Sequence, residues 1–146
     1  MIDVGTDHGF LPVFLAQSGL AGRIIASDKS AGSLAAARRS ADKHGVSERI
    51  TFVTAPGLEG LDVFDADTIV IAGMGGETIS GILADAPWIR KRSVRLILQP
   101  QTKAVWLCIW LSENGFIISD SQVTRDRGRK YIIFMCQGGE DRATAR

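Results

Sequence analysis

Asp3-Val4-Gly5-Thr6-Asp7-His8-Gly9 holds the densest chemistry in the sequence: carboxylates and an imidazole interleaved with two glycines. A strand that runs into glycines and then a helix lets backbone approach a ligand closely. A phosphate-cradling Gly-x-Gly-x-x-Gly turn would look different, because acids at this place repel a diphosphate. Carboxylates suit a ligand that carries an ammonium and a sulfonium group. The sign of the charge therefore favours S-adenosyl-L-methionine over NAD. A purely structural turn, with its glycines at positive φ, is the competing reading.

Three further segments fit the same chemistry. Asp28 ends the apolar run Arg23–Ser27, about 20 residues past the glycine turn, where an acid accepts hydrogen bonds from ribose hydroxyls. Its bland alternative is a helix N-terminal carboxylate beside Ser30. Ala72-Gly73-Met74-Gly75-Gly76 follows another apolar run and suggests tight backbone packing against something flat. Gln99-Pro100-Gln101-Thr102 closes the next one; Gln99 either presents its amide to a ligand or only caps the following helix.

These segments need a scaffold that alternates strands and helices. Met1–Val4, Arg23–Ser27, Ile50–Thr54, Thr68–Ala72 and Val94–Leu98 read as strands, with Phe116–Thr124 and Lys130–Cys136 as a hairpin around Arg125–Arg129. Helices are expected over Leu11–Ser18, from Ser30 as cap to Lys43, over Glu77–Ala84 and over Lys103–Glu113. In the second of these, Ser33, Ala36, Ala37 and Ser40 form a small-residue face. The alternation predicts an α/β fold: a Rossmann-like, mostly parallel seven-stranded sheet with an antiparallel last strand. The first strand, starting at Met1, reads as truncated, a stub that would leave its neighbours poorly covered. Residues 1–137 form one domain and 138–146 a disordered tail.

Composition narrows the class. The chain has 146 residues, a hydrophobic fraction of 45% and a net charge of +1, which suit one buried core and point to neither a nucleic-acid nor a membrane-surface protein by charge alone. No apolar run reaches the roughly 18 residues of a membrane span, and nothing resembles a signal peptide. Cys108 and Cys136 lack metal-ligand spacing and read as reduced core residues of a cytoplasmic protein, with no metal site expected. Charge is uneven, however. Arg90, Lys91, Arg92 and Arg95 cluster in one place, and Arg125, Arg127, Arg129 and Lys130 in another; solvated loops are the bland reading and an RNA-facing surface the sharper one.

Asp3–Pro12, Ile71–Gly76, Leu96–Pro100, Glu113–Phe116 and Gly128–Tyr131 together resemble the bacterial TrmK family over nearly the whole chain. That resemblance implies a class I methyltransferase fold and methyl transfer from S-adenosyl-L-methionine to N1 of adenine 22 in tRNA. It implies that Asp3, Gly5, Asp7 and Gly9 surround the methionine part of the cofactor and Asp28 the ribose, with Thr6, Lys29 and Gly57 also binding the cofactor. Gly73, Met74 and Gly75 would line the cofactor, and Gly76, Gln99 and Pro100 the substrate. Asp7 and His8 would stand nearest the chemistry, Asp7 stabilising the cationic product base and His8 orienting Asp7 or bonding the adenine edge.

The chain departs from the family pattern in three ways. Ala55-Pro56-Gly57-Leu58 stands where the family carries Gly-Asp-Gly-Leu, and losing that carboxylate costs about 0.5–1.5 kcal/mol of adenine binding. Residues upstream of the first strand and a C-terminal coiled-coil-like helical domain are also absent, so tRNA binding is expected to be weak. The alternative expectation is a methyltransferase-like domain that binds cofactor weakly or not at all and is inactive alone.

Overall fold

The computed structural model describes residues 1–91 and 94–139. Its strands are β1 (Ile2–Val4), β2 (Ile24–Asp28), β3 (Ile50–Thr54), β4 (Thr68–Gly75), β5 (Arg95–Thr102), β6 (Phe116–Asp126) and β7 (Arg129–Gly138). Its α-helices are α1 (Phe10–Ser18), α2 (Ala31–Lys43), α3 (Gly76–Ala84), α4 (Trp88–Lys91) and α5 (Ala104–Glu113). The seven strands form one sheet in the order β3-β2-β1-β4-β5-β7-β6. β1–β2 and β2–β3 are parallel, whereas β7 runs antiparallel to both β5 and β6. The expected α/β sheet with an antiparallel last strand is therefore present.

Two compact units divide the chain, Met1–Val70 and Ile71 onward. In the first, three residues of β1 suffice to cover its neighbour. Ile2 lies opposite Ile25, and Ile24 and Ile25 are each 1% exposed, which corrects the expectation of a poorly covered strand. Val13 and Ala16 of α1 pack with Ile24, Ala26, Ala41, Val46 and Ile50. The inward face of α2 is Leu34, Ala37 and Ala41 rather than Ser33, Ala36, Ala37 and Ser40, because leucine buries more apolar area than serine. Ser30 caps α2 by accepting the Ser33 N–H at 3.2 Å, as expected. β3 is an edge strand with exposed Thr51, not one buried on two faces.

In the second unit the strands outrun their expected ends. β4 continues to Gly75 and β5 through Pro100 to Thr102. β7 also reaches Gly138, and Gly139 donates to the Gly115 carbonyl at 2.7 Å, so the chain stays ordered past the expected boundary at 137. The rest of the expected tail, 140–146, lies outside the described residues, as does Arg92. Three elements had not been expected at all: α4, and 3-10 turns over Ser47–Arg49 and Leu61–Phe64 in the first unit. α3 meets the start of α5 through Gly76. A Cβ there would lie 2.8 Å from the Lys103 carbonyl oxygen, so only glycine lets the elements approach this closely.

Cys136 is buried and its thiol is pushed up to about 12 by desolvation; Cys108 is half-buried, not a core residue. No helix among the described residues is long and apolar enough to cross a membrane. Among the described residues no group of three or more His, Cys, Asp or Glu side chains is placed to hold a metal ion.

Candidate cofactor and acceptor sites

The first unit gathers six expected residues, Asp3, Gly5, Thr6, Asp7, Gly9 and Asp28, around the carboxyl end of β1. Gly5 takes φ 69° and turns the chain, and Asp7, unusually for a non-glycine residue, takes φ 51°. Thr6 is buried and its hydroxyl donates to Asp3 Oδ2 at 2.9 Å. Asp28 accepts the Asp7 N–H on Oδ2 at 3.1 Å and the Ser30 N–H on Oδ1 at 2.9 Å. The end of β2 is thus fastened to the glycine loop, and the carboxylate keeps lone pairs for further donors. Gly9 closes the loop at φ 74°, where a Cβ would lie 2.9 Å from Ala37 Cβ.

Three of the loop's own N–H groups are engaged internally. Thr6 N–H bonds the Ser27 carbonyl, Gly9 N–H bonds the Thr6 carbonyl, each at 2.9 Å, and Asp7 N–H bonds Asp28. A phosphate-binding turn depends on such groups being free. What remains at this loop is negative charge from Asp3, Asp7 and Asp28. Asp3 is 6% exposed and its pKa is raised from 3.8 to about 6, first by burial and also by repulsion from Asp28, with the Thr6 hydrogen bond opposing. A carboxylate in that state gains when a cation arrives.

Asp7 and His8 are exposed, with His8 Nε2 3.8 Å from Asp7 Oδ2, and the His8 ring sits 5.6 Å from that of Phe10. Phe10 is itself 74% exposed. Lys29 is exposed, Gly57 takes φ 58°, and Pro56 is exposed beside buried Ala55. One polar residue escaped the sequence reading: Ser27 is fully buried and its Oγ has no hydrogen-bond partner. A lone serine in an apolar strand was the available signal. A surface hollow beside β3, lined by Arg38, Asp42 and Phe52 among others, contains none of the expected site residues.

The second unit is built differently. Gly73 takes φ 76° and its N–H donates to Gln99 Oε1 at 2.9 Å, while Gln99 Nε2 reaches the Pro100 carbonyl at 3.3 Å. Gln99 therefore does not cap α5; its amide props the glycine turn and keeps one lone pair and one N–H for a further partner. Met74 and Gly75 are half-buried, and Gly76 and Pro100 are buried. Lys103, at φ 57° before α5, pairs with Glu77 of α3, a bridge that the sequence alone did not reveal.

Known proteins resemble this chain in sequence and fold. The sequence pattern of the TrmK family, tRNA (adenine(22)-N(1))-methyltransferase, matches residues 1–145. A Bacillus subtilis tRNA (adenine(22)-N(1))-methyltransferase is 32% identical over 140 residues, 96% of this chain and 59% of the relative. A Streptococcus pneumoniae structure, a putative tRNA (m1A22) methyltransferase in complex with S-adenosyl-L-methionine, superposes with TM-score 0.86 at 34% identity, covering 99% of this chain and 68% of that one. A Streptococcus agalactiae protein of the NADB-Rossmann superfamily gives 0.85 at 34%, covering 99% and 64%. The chain spans about three fifths of the curated relatives it matches. With the pattern matched almost end to end, the chain belongs to the TrmK family of tRNA (adenine(22)-N(1))-methyltransferases.

Proposed function

We propose that the chain binds S-adenosyl-L-methionine at the Asp3–Gly9 loop and serves methyl transfer to N1 of adenine 22 in tRNA. The observation that carries the cofactor is the loop's polarity. Three of its N–H groups are engaged within the chain while Asp3, Asp7 and Asp28 supply negative charge. That arrangement fits an ammonium and a sulfonium and disfavours a diphosphate. Family membership and a relative described in complex with S-adenosyl-L-methionine support the same reading.

When bound, the cofactor supplies an electrophilic methyl group. The chain's residues do the rest. Asp3 and Asp28, each held by hydrogen bonds from neighbouring residues, keep fixed carboxylates for the cationic portion and the ribose hydroxyls. Pro56 offers no N–H and no carboxylate to an adenine ring, so affinity falls several-fold below that of a family member carrying aspartate there. The Gly73–Gly76 turn, held open by Gln99, takes the acceptor base. Adenine N1 has its lone pair available at neutral pH, so positioning and water exclusion matter more than a strong base. A tRNA base reaches such a site only after leaving its stack. Exposed Asp7 then stabilises positive charge that develops on the base.

Calorimetry with S-adenosyl-L-methionine and with NAD, followed by methyl transfer to unmodified tRNA with and without adenine at position 22, tests the proposal. Binding of the first cofactor only and transfer confined to adenine 22 are expected. Asp7→Ala is expected to lower turnover far more than cofactor affinity; equal losses in both would remove its catalytic role.

A further inference from the structure

The β6–β7 hairpin carries a charge that the cofactor site does not use. Pairing of β7 with β5 ends at Leu98 opposite Phe134, yet β6 and β7 stay paired out to Asp126 opposite Arg129. At about 3.4 Å per residue, the ribbon therefore runs roughly 17 Å beyond its last β5 partner. Because β7 is antiparallel to β5, that overhang points toward the carboxyl end of β5, the side on which Gln99 props the Gly73 turn. Residues 119–130 are all exposed.

The overhang ends in Arg125, Asp126, Arg127, Gly128, Arg129 and Lys130: four cations against one carboxylate, more positive charge than the whole chain's net +1. None of the four cations has an ion-pair partner among the described residues. Turn chemistry does not account for them either. Arg127 and Gly128 take φ 49° and 79°, the conformation of a two-residue type I′ turn, in which Asn, Asp or Gly is favoured at the first position. Arginine there is a costly choice for folding.

We propose that this ribbon tip grips the phosphate backbone of the RNA substrate and sets its approach to the acceptor side of the sheet. The proposal rests on the tRNA reading above and extends it to a named contact. A narrow two-stranded ribbon with guanidinium groups at its tip can follow a nucleic-acid groove, and the contacts position the RNA without reading sequence.

The test uses the whole chain and fluorescently labelled unmodified tRNA, titrated from 0.05 to 0.3 M salt. The variants are Arg127→Asn, which suits the turn, and the triple Arg125→Ala, Arg127→Asn, Lys130→Ala. Each lost phosphate contact is expected to weaken binding about tenfold at 0.05 M salt and to flatten the log–log salt slope by about 0.7–0.9. Affinity for S-adenosyl-L-methionine should stay unchanged in both variants. Parent binding with an unaltered slope in the triple variant would overturn the ribbon proposal and leave the tRNA reading standing. Absence of any salt-dependent tRNA binding by the parent would overturn both. Capture of the parent by anionic lipid vesicles that tRNA fails to displace would reassign the tip to a membrane surface and overturn the proposal.

Discussion

Residues 1–70 and the residues from Ile71 onward each place a glycine turn at the carboxyl end of a strand, yet they hold it by opposite means. In the first unit, carboxylates secure the turn: Asp28 takes the Asp7 N–H and buried Asp3 takes the Thr6 hydroxyl. In the second, a neutral amide does so, with Gln99 accepting from Gly73 N–H. One turn is thereby held among carboxylates, which on the proposed reading favours a cation, whereas the other is held by a neutral amide and shaped by backbone approach.

Asp3→Asn should expose the contrast most sharply. Affinity for S-adenosyl-L-methionine is expected to fall about 10- to 100-fold, while the ligand-free chain at pH 7 becomes more stable by as much as about 3 kcal/mol, the scale of a shift from 3.8 to about 6. Calorimetry and denaturant melts read the two effects. Unchanged cofactor affinity would end the electrostatic account of the first turn.

Alanine at the two packing glycines comes next, with losses of about 1–3 kcal/mol each. Gly9→Ala meets Ala37 Cβ at 2.9 Å and Ala37 Cα at 3.1 Å, so Ala37→Gly should rescue it only in part, leaving the backbone contact and the strain of φ 74°. Gly76→Ala meets the carbonyl oxygens of Lys103 and Thr102, which no side-chain replacement removes. No recovery of Gly9→Ala by Ala37→Gly in chemical denaturation would erase the distinction between a side-chain and a backbone contact.

Acidification should separate the turns again. The raised pKa of Asp3 means that its contribution to ligand-free stability is fully present below 3.8 and is lost as pH rises through about 6. A cation binds the ionised form, so cofactor affinity should decline by up to about tenfold per unit below pH 6. A flat pH profile from 5 to 7 would exclude Asp3 from contact with the positive charge. The smallest effect belongs to Gln99→Leu, which frees the Gly73 N–H at a cost of about 1 kcal/mol. Methyl transfer should suffer while cofactor affinity holds.

Local chemistry made much of the fold readable from the residues. Ile50–Thr54 is a β-branched run whose observed limits match the expected ones, Ser30 caps α2, and Gly19 stops α1 at φ 70°. Each of these depends on neighbours within about four positions. The alternation of such segments also sufficed for the sheet class.

Other features depended on residues distant in the chain. Strand pairing carried β4 and β5 past Ala72 and Leu98, and Pro100 sits within β5 although its type suggested an end. The inward face of α2, the burial that lifts Asp3 to about 6, and the bond from Gly73 to Gln99, 26 positions away, all follow from packing between separated segments. Desolvation and side-chain reach are properties of a folded neighbourhood. A residue's type says which interactions are open to it, and the neighbours that folding brings select among them.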